Sequence, residues 1–351
     1  LLTEAKVGFD CRYIKADSND GISRFSIELF KKLRETQQVV AIVSNERQLT
    51  LLGDGVEHVY LNEPTSVLEP LASLRLNRHG FKTVFSPMQT IGSFGKKFNL
   101  ILTIHDLIYY FHPKPPGYLN PLIRLIWRLY HLSFAPQRFL LARADQVVTV
   151  SETSRRLIEK HRLTKVPVTV VRNASEGLPR LDLPTKQTIA YMGSFMPYKN
   201  VETLIRATAL LKDYKLLLLS KIDTQTQSEL TSLANRLGAR VEFLNGVSDE
   251  QYSEILNSAT ALVHASSDEG FGIPIVEAMS VGCPVVCSDI EIFNEVAGEA
   301  GLFFNNQDAD ELAQKVIFAS QNRESLEPKL LAQAAKFNWS QSAKELAKLL
   351  S

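Results

Sequence analysis

Short apolar runs recur along this chain, and most are followed by a stretch with helical periodicity. That alternation builds βα units, and βα units build parallel sheets. In the first half it predicts strands at 6–10, 39–43, 82–86, 100–104 and 146–150. Helices are predicted at 22–33, at 118–139 with breaks, and at 152–161, the last capped by Ser151. The pattern fails over 173–187, where Gly177, Pro179 and Pro184 fall without an apolar period, as in a linker. It then restarts, with strands expected at 188–193, 215–219, 241–244, 261–264 and 284–288. Helices are expected at 201–211, 225–237, 249–258, 274–281, 309–320, 326–336 and 340–350. The fold class is α/β, with Rossmann-like domains at 1–172 and 188–337.

Size agrees with two domains, because 351 residues are too many for one layer and enough for two cores. The content is 45% hydrophobic and 22% charged, which is globular. No run approaches the length of a membrane span. The chain begins Leu1-Leu2-Thr3, which leaves a preceding segment open. Cys11, Cys283 and Cys287 are odd in number and fit a reducing cytoplasm better than a disulfide framework. Without a second Cys or His pair beside Cys283 and Cys287, no zinc site is expected. Net charge is +1, but residues 1–172 hold 24 Lys/Arg against 15 Asp/Glu, and residues 173–351 hold 15 against 23. The basic half suits an anionic membrane or a phosphorylated acceptor, unless two globular halves have simply diverged in charge.

Ligands of open parallel sheets bind beyond the carboxyl ends of the strands. After the strand at 261–264 comes Ser266-Ser267-Asp268-Glu269-Gly270-Phe271-Gly272-Ile273-Pro274, then a helix carrying Glu277. Gly270 and Gly272 let the backbone bend and approach a ligand. Pro274 suits the first turn, and the free N–H groups there make a seat for a diphosphate. Glu269 and Glu277 flank that seat, Glu277 being placed in the first turn. Carboxylates repel phosphate, so they would accept hydrogen bonds from sugar hydroxyls; the plainer alternative is that Glu277 complements the helix dipole.

The stretch 264–289, HASSDEGFGIPIVEAMSVGCPVVCSD, resembles the signature of family-four retaining glycosyltransferases of the GT-B fold, in particular bacterial mannosyltransferases of cell-envelope glycan synthesis. The resemblance implies two Rossmann-like domains facing across a cleft, with the closing segment 338–351 crossing back to the N-terminal domain. It implies that Glu269 contacts hexose hydroxyls and Glu277 the nucleotide ribose. The backbone N–H groups of Phe271, Gly272 and Ile273, with Gly270, would face sugar and phosphates. Residues 191–207, YMGSFMPYKNVETLIRA, resemble the family's phosphate-binding segment, which puts Ser194 near the donor and Lys199 on the leaving diphosphate. The loop around Gly246 and Val247 would lie beside the base. Many relatives carry an Arg where this chain has Ser194 or Tyr198; Arg24 is a candidate substitute. Gly298–Asp308 is also similar to the family's ending.

In the N-terminal half, His105 follows the strand at 100–104. As a residue it fits either a cleft-mouth contact or a packed histidine; the resemblance implies contact with the hexose near the reacting carbon, through ring or carbonyl. Asp106 is expected to hold the loop through backbone hydrogen bonds. Gly21 stands at a helix start, and the resemblance implies that it approaches the phosphates. Residues 121–134, PLIRLIWRLYHLSF, put Arg124, Arg128 and His131 on one helical face, with Leu122, Ile123, Leu125, Ile126 and Leu129 over much of the rest. Such a helix either lies on an anionic bilayer or packs on the core with a wet edge.

The function expected is retaining transfer of a hexose, mannose above others, from a nucleoside-diphosphate sugar to a glycan or lipid-linked acceptor hydroxyl. GDP-mannose is favoured over UDP-hexoses as donor. No metal or further cofactor is expected, Asp308-Ala309-Asp310 reading as a helix opening. The location expected is cytoplasmic, with a peripheral contact to the inner face of the membrane through the basic domain. Alternatives are a nucleotide-sugar 2-epimerase and a non-catalytic sugar-nucleotide-binding subunit. No Gly-x-Gly-x-x-Gly follows the first strand of either half, which argues against a dehydrogenase. Nothing recommends nucleic acid as a partner.

Overall fold

A computed structural model describes residues 6–15, 20–115 and 120–350. It divides into two compact units, Leu1–Ala174 with Asn338–Ser351, and Ser175–Phe337. The first holds a parallel sheet of strands β1 (Val7–Asp10), β2 (Val39–Val43), β3 (His58–Tyr60), β4 (Thr83–Ser86), β5 (Asn99–Ile104), β6 (Gln146–Thr149) and β7 (Val168–Val170), in the order β3-β2-β1-β4-β5-β6-β7. Its helices are α1 (Gly21–Arg34), α2 (Glu46–Leu52), α3 (Ala72–Leu76), α4 (Ile108–Phe111), α5 (Pro121–His131), α6 (Ala135–Leu141) and α7 (Glu152–Lys160). The second unit holds β8 (Lys186–Tyr191), α8 (Val201–Leu210), β9 (Lys215–Leu218), α9 (Thr224–Leu237), β10 (Val241–Phe243), α10 (Asp249–Ser258), β11 (Ala259–His264), α11 (Ile273–Ser280), β12 (Val285–Ser288), α12 (Glu291–Ala297), β13 (Leu302–Phe304) and α13 (Ala309–Ala334). Its strand order is β10-β9-β8-β11-β12-β13, and every pairing is parallel. Helix α14 (Trp339–Leu350) belongs to the first unit.

Local chemistry starts the helices where the apolar period begins. Asp20 accepts the amide of Ser23 at 2.8 Å to open α1, and Ser151 accepts that of Ser154 at 3.0 Å to open α7. Ser248 and Gln251 form a reciprocal capping box on α10. The central strands β1, β2, β4, β11 and β12 are buried along their whole length, as a sheet covered on both faces requires.

The break expected within 118–139 falls at Leu132–Phe134, between α5 and α6, and Tyr118 lies outside the described residues. Strands β3, β7 and β13 were not expected; each is three residues long at or near a sheet edge and carries too little pattern to stand out. The two helices expected at 309–320 and 326–336 meet in a non-helical kink at Asn322 (φ −120°, ψ 15°) within α13. Helix α5 buries none of its residues, so it is not a core-packed helix.

Helix α14 closes the first unit. Trp339 is 2% exposed and meets Phe25 of α1 at 5.9 Å between ring centroids. The Ser342 hydroxyl donates to the Arg172 carbonyl at 2.7 Å. Among the described residues the Trp339 indole N–H has no hydrogen-bond partner, so its contribution is apolar packing. Trp339→Ala should destabilise the first unit by about 4 kcal/mol in urea unfolding, and Trp339→Phe should recover most of that loss. Equal losses for both would show that the indole nitrogen matters.

Candidate active site

In the second unit the chain leaves β11 at His264 and enters α11 at Ile273. The bend is carried by Gly272, at φ 93° and ψ 53°. A Cβ at Gly272 would stand 3.1 Å from Phe293 and 3.3 Å from Ile275, so both conformation and space select glycine. The backbone also bends at Gly270, though without the positive φ that Gly272 adopts. Pro274 occupies the first turn as expected. Among the described residues, the N–H groups of Phe271, Gly272 and Ile273 have no protein acceptor. Three donors at a helix N-terminus thus remain for an anion.

Strand β8 pairs with β11, with Ile189 opposite Ala261 and Ala190 opposite Leu262. The segment after β8 therefore lies against the β11 loop. The amide and hydroxyl of Ser267 both bond the Tyr198 carbonyl, at 2.8 and 3.2 Å. That join brings Lys199 Nζ to 2.5 Å from Glu269 Oε1, with both side chains 11% exposed. Ser266 donates to the same oxygen at 3.0 Å, while the Ser288 hydroxyl holds the Ser266 carbonyl at 2.5 Å. Burial pushes the Glu269 carboxyl up, but Lys199, His264 and the hydrogen bonds outweigh it and leave the carboxyl below its usual range. It is therefore a carboxylate near neutral pH, able to accept from hydroxyl donors.

Glu277 is not in the first turn of α11, which corrects the expectation for it. It is 4% exposed and accepts the Tyr252 hydroxyl at 2.9 Å. The Ser194 carbonyl accepts the Tyr191 hydroxyl at 2.6 Å. Gly246, at φ 102°, and Val247 form the turn between β10 and α10, where a Cβ on Gly246 would press on Lys221 at 3.2 Å.

Gly21 and His105 lie in the first unit. Gly21 is the first residue of α1; residues 16–19 of the loop before it lie outside the described residues. The His105 ring donates from Nε2 to the Pro87 carbonyl at 2.8 Å, which leaves Nδ1 as the acceptor. Burial pushes this ring's pKa down. The His105 carbonyl accepts the Ser154 hydroxyl at 3.1 Å, and Asp106 accepts the Ile108 amide at 3.0 Å. Arg24 is half-buried on α1.

Several contacts escaped the sequence reading. Tyr252 and Ser266 hold the two glutamates, and the Tyr198 ring lies 5.2 Å from the Lys199 ammonium. Arg12 sits at the end of β1, gripped by Asp10 at 2.8 Å and by Glu69 at 2.8 Å, all three buried. Asp10 and Arg12 stand two apart, but nothing near them marks Glu69 as the third member.

His264 lies beneath the glutamate loop, 2% exposed, between the rings of Tyr191 at 5.1 Å and Phe293 at 5.9 Å. Neither ring nitrogen has a partner among the described residues. Burial is the largest cause holding its pKa down, to about 4 from 6.5. The unfolded chain therefore binds a proton that the folded chain refuses between pH 6.5 and 4. Stability should be full above this window and fall through it, by roughly 3 kcal/mol at most. His264→Phe, a similar shape among rings, should flatten that part of the stability-against-pH curve in denaturant titrations; an unchanged slope would contradict the assignment.

Residues 179–337 match the family described as glycosyl transferases group 1. The O-antigen chain mannosyltransferase B of Escherichia coli is 27% identical, over 91% of this chain and 92% of that protein. The O-antigen chain mannosyltransferase RfbU of Salmonella typhimurium is 28% identical, over 83% of this chain and 84% of its own length. Among solved structures, Anabaena Alr3699/HepE in complex with UDP and glucose superposes with a TM-score of 0.75 at 19% identity, covering 99% of both chains. Sucrose-phosphate synthase from Thermosynechococcus elongatus does so with a TM-score of 0.73 at 18% identity, covering 98% of both. The fold is GT-B, residues 179–337 form a glycosyl transferases group 1 domain, and with its mannosyltransferase relatives the chain is a hexosyltransferase.

Proposed function

We propose that this chain moves a hexose, with mannose favoured, from a nucleoside-diphosphate sugar to a glycan or lipid-linked acceptor hydroxyl in cell-envelope glycan synthesis, with retention of configuration. The observation that carries the reading is the Lys199–Glu269 pair beside three unclaimed amides at the Gly272 bend. The amides and Lys199 suit a diphosphate, and the carboxylate suits sugar hydroxyls. Two relatives named as mannosyltransferases across most of the chain support mannose, and hence GDP-mannose, as donor. A structural neighbour holding UDP and glucose keeps UDP-hexoses as the other candidate.

In the proposed reaction, the bond between the anomeric carbon and the diphosphate oxygen breaks as the acceptor oxygen approaches the same face. The departing diphosphate gains negative charge. Lys199, already positioned by Glu269, and the amides of Phe271, Gly272 and Ile273 stabilise that charge, and the leaving oxygen takes the acceptor's proton. This scheme calls on no metal. His105 Nδ1 serves as an acceptor toward the hexose. Glu277, held by Tyr252, meets the ribose, with Gly246 and Val247 beside the base. Ser194 and Tyr198 stand where many relatives carry an Arg, the one observation that favours a binding subunit as a second reading.

Glu269→Ala, Lys199→Ala and His105→Ala should each lower turnover by roughly 100-fold or more with a nucleotide-sugar donor and a purified acceptor glycan. Donor binding by the unaltered chain without transfer to any acceptor would favour the binding subunit, and isomerised donor without acceptor would favour an epimerase. Tyr252→Phe should raise KM for the donor several-fold while kcat changes little, because it frees the Glu277 carboxylate to turn. A fall in kcat alone would remove Glu277 from donor binding.

A further inference from the structure

We propose that the outer face of α5, with Phe139 of α6, docks in the plane of an anionic lipid bilayer. The inner side of α5 rests on aromatic rings. Trp127 stacks on His131 at 4.0 Å and meets Tyr109 at 5.2 Å, and Tyr130 donates to Gln137 at 2.7 Å. With positions 127, 130 and 131 turned inward, the helical period turns 122, 125, 126, 129 and 132 outward. Leu122, Leu125, Ile126, Leu129 and Leu132 are in fact 52% to 77% exposed, and Phe139 is 69% exposed. An ordinary surface helix turns its apolar stripe to the core, and this one presents it to solvent. A contiguous patch of that kind marks an interaction surface.

Charge selects the occupant. Residues 107–144 contain no Asp or Glu and five cations, Lys114, Arg124, Arg128, Arg138 and Arg143. Arg128 borders the leucine stripe by its helical position, and Arg124 lies between it and the inward side. A second copy of this face would set like charge against like charge. An anionic bilayer supplies acyl chains for the leucines and phosphates for the arginines at once. At 1.5 Å per residue α5 is about 16 Å long, too short to cross the hydrocarbon layer. Among the described residues no helix is long and apolar enough to do so. The contact is therefore in-plane, and it places the basic unit where a lipid-borne acceptor would be presented.

The test is co-sedimentation of the full chain with vesicles of phosphatidylcholine alone, or with phosphatidylglycerol added to roughly a third of the lipid. No nucleotide sugar is present, so the outcome is independent of the proposed reaction. Binding to the anionic vesicles should be at least about tenfold stronger than to neutral ones, and should weaken as salt rises. The double change Leu125→Glu with Leu129→Glu should abolish it while the urea midpoint stays put, since both side chains are exposed. Arg124→Gln with Arg128→Gln should weaken binding to anionic vesicles alone. Failure to bind anionic vesicles, or unchanged binding after the double Glu change, would overturn the proposal. So would self-association in light scattering that the double Glu change removes while vesicles capture nothing, which would identify a second copy as the occupant.

Discussion

The second unit depends on the parallel pairing of β8 with β11. The two strands lie about seventy residues apart in sequence, yet Ile189 stands opposite Ala261 and Ala190 opposite Leu262. They are where the strand order of this sheet changes direction, and the carboxyl ends of two such strands open a crevice between their loops. Everything chemical in this unit follows from that adjacency. It lets the Ser267 amide and hydroxyl clasp the Tyr198 carbonyl, and the clasp sets Lys199 on Glu269. The glycine bend leaves the amides of Phe271, Gly272 and Ile273 without a protein acceptor at the start of α11.

A nearly buried ion pair is a weak device for stability. Taking an ammonium and a carboxylate out of water costs several kcal/mol per ion, and their attraction only roughly repays it. Lys199 and Glu269 nevertheless meet at 2.5 Å, with Ser266 on the same carboxylate oxygen. The arrangement makes better sense as preorganisation. The lysine is held in place before any anion arrives, and the carboxylate stays ionised despite its burial. His264 underneath takes the opposite course, its pKa held down chiefly by burial.

The first unit uses the same geometry with different parts. At the end of β1, Arg12 is gripped by both Asp10 and Glu69, and Ser86 of β4 donates to Asp10 at 3.2 Å. This network ties together the loops beyond β1 and β4, one strand away from His105 at the end of β5. His105 is fixed at two points, its ring on Pro87 and its carbonyl by Ser154. The chain then returns through α14, which packs Trp339 on α1 and so completes the unit with its last residues.

The sequence by itself determined the α/β class, the long central elements, the restart after the linker and the turn that carries Glu269. Each of these is written locally, in period, in capping residues such as Ser151 and Asp20, or in the Gly-Phe-Gly-Ile-Pro spacing. It did not determine the edge strands β3, β7 and β13, whose three residues each hold too few side chains to show a period. It placed Glu277 in the first turn of α11, which it is not, and it did not say which of the two glycines takes the positive φ, because φ is not legible in a glycine's identity. Only the tertiary structure decided that Tyr252 holds Glu277, that Glu69 completes the grip on Arg12, and that α5 turns its leucines outward. Those are contacts between segments distant in sequence, or a choice between two faces of one helix. Periodicity shows that a helix has an apolar side; the packing of its neighbours decides what that side faces.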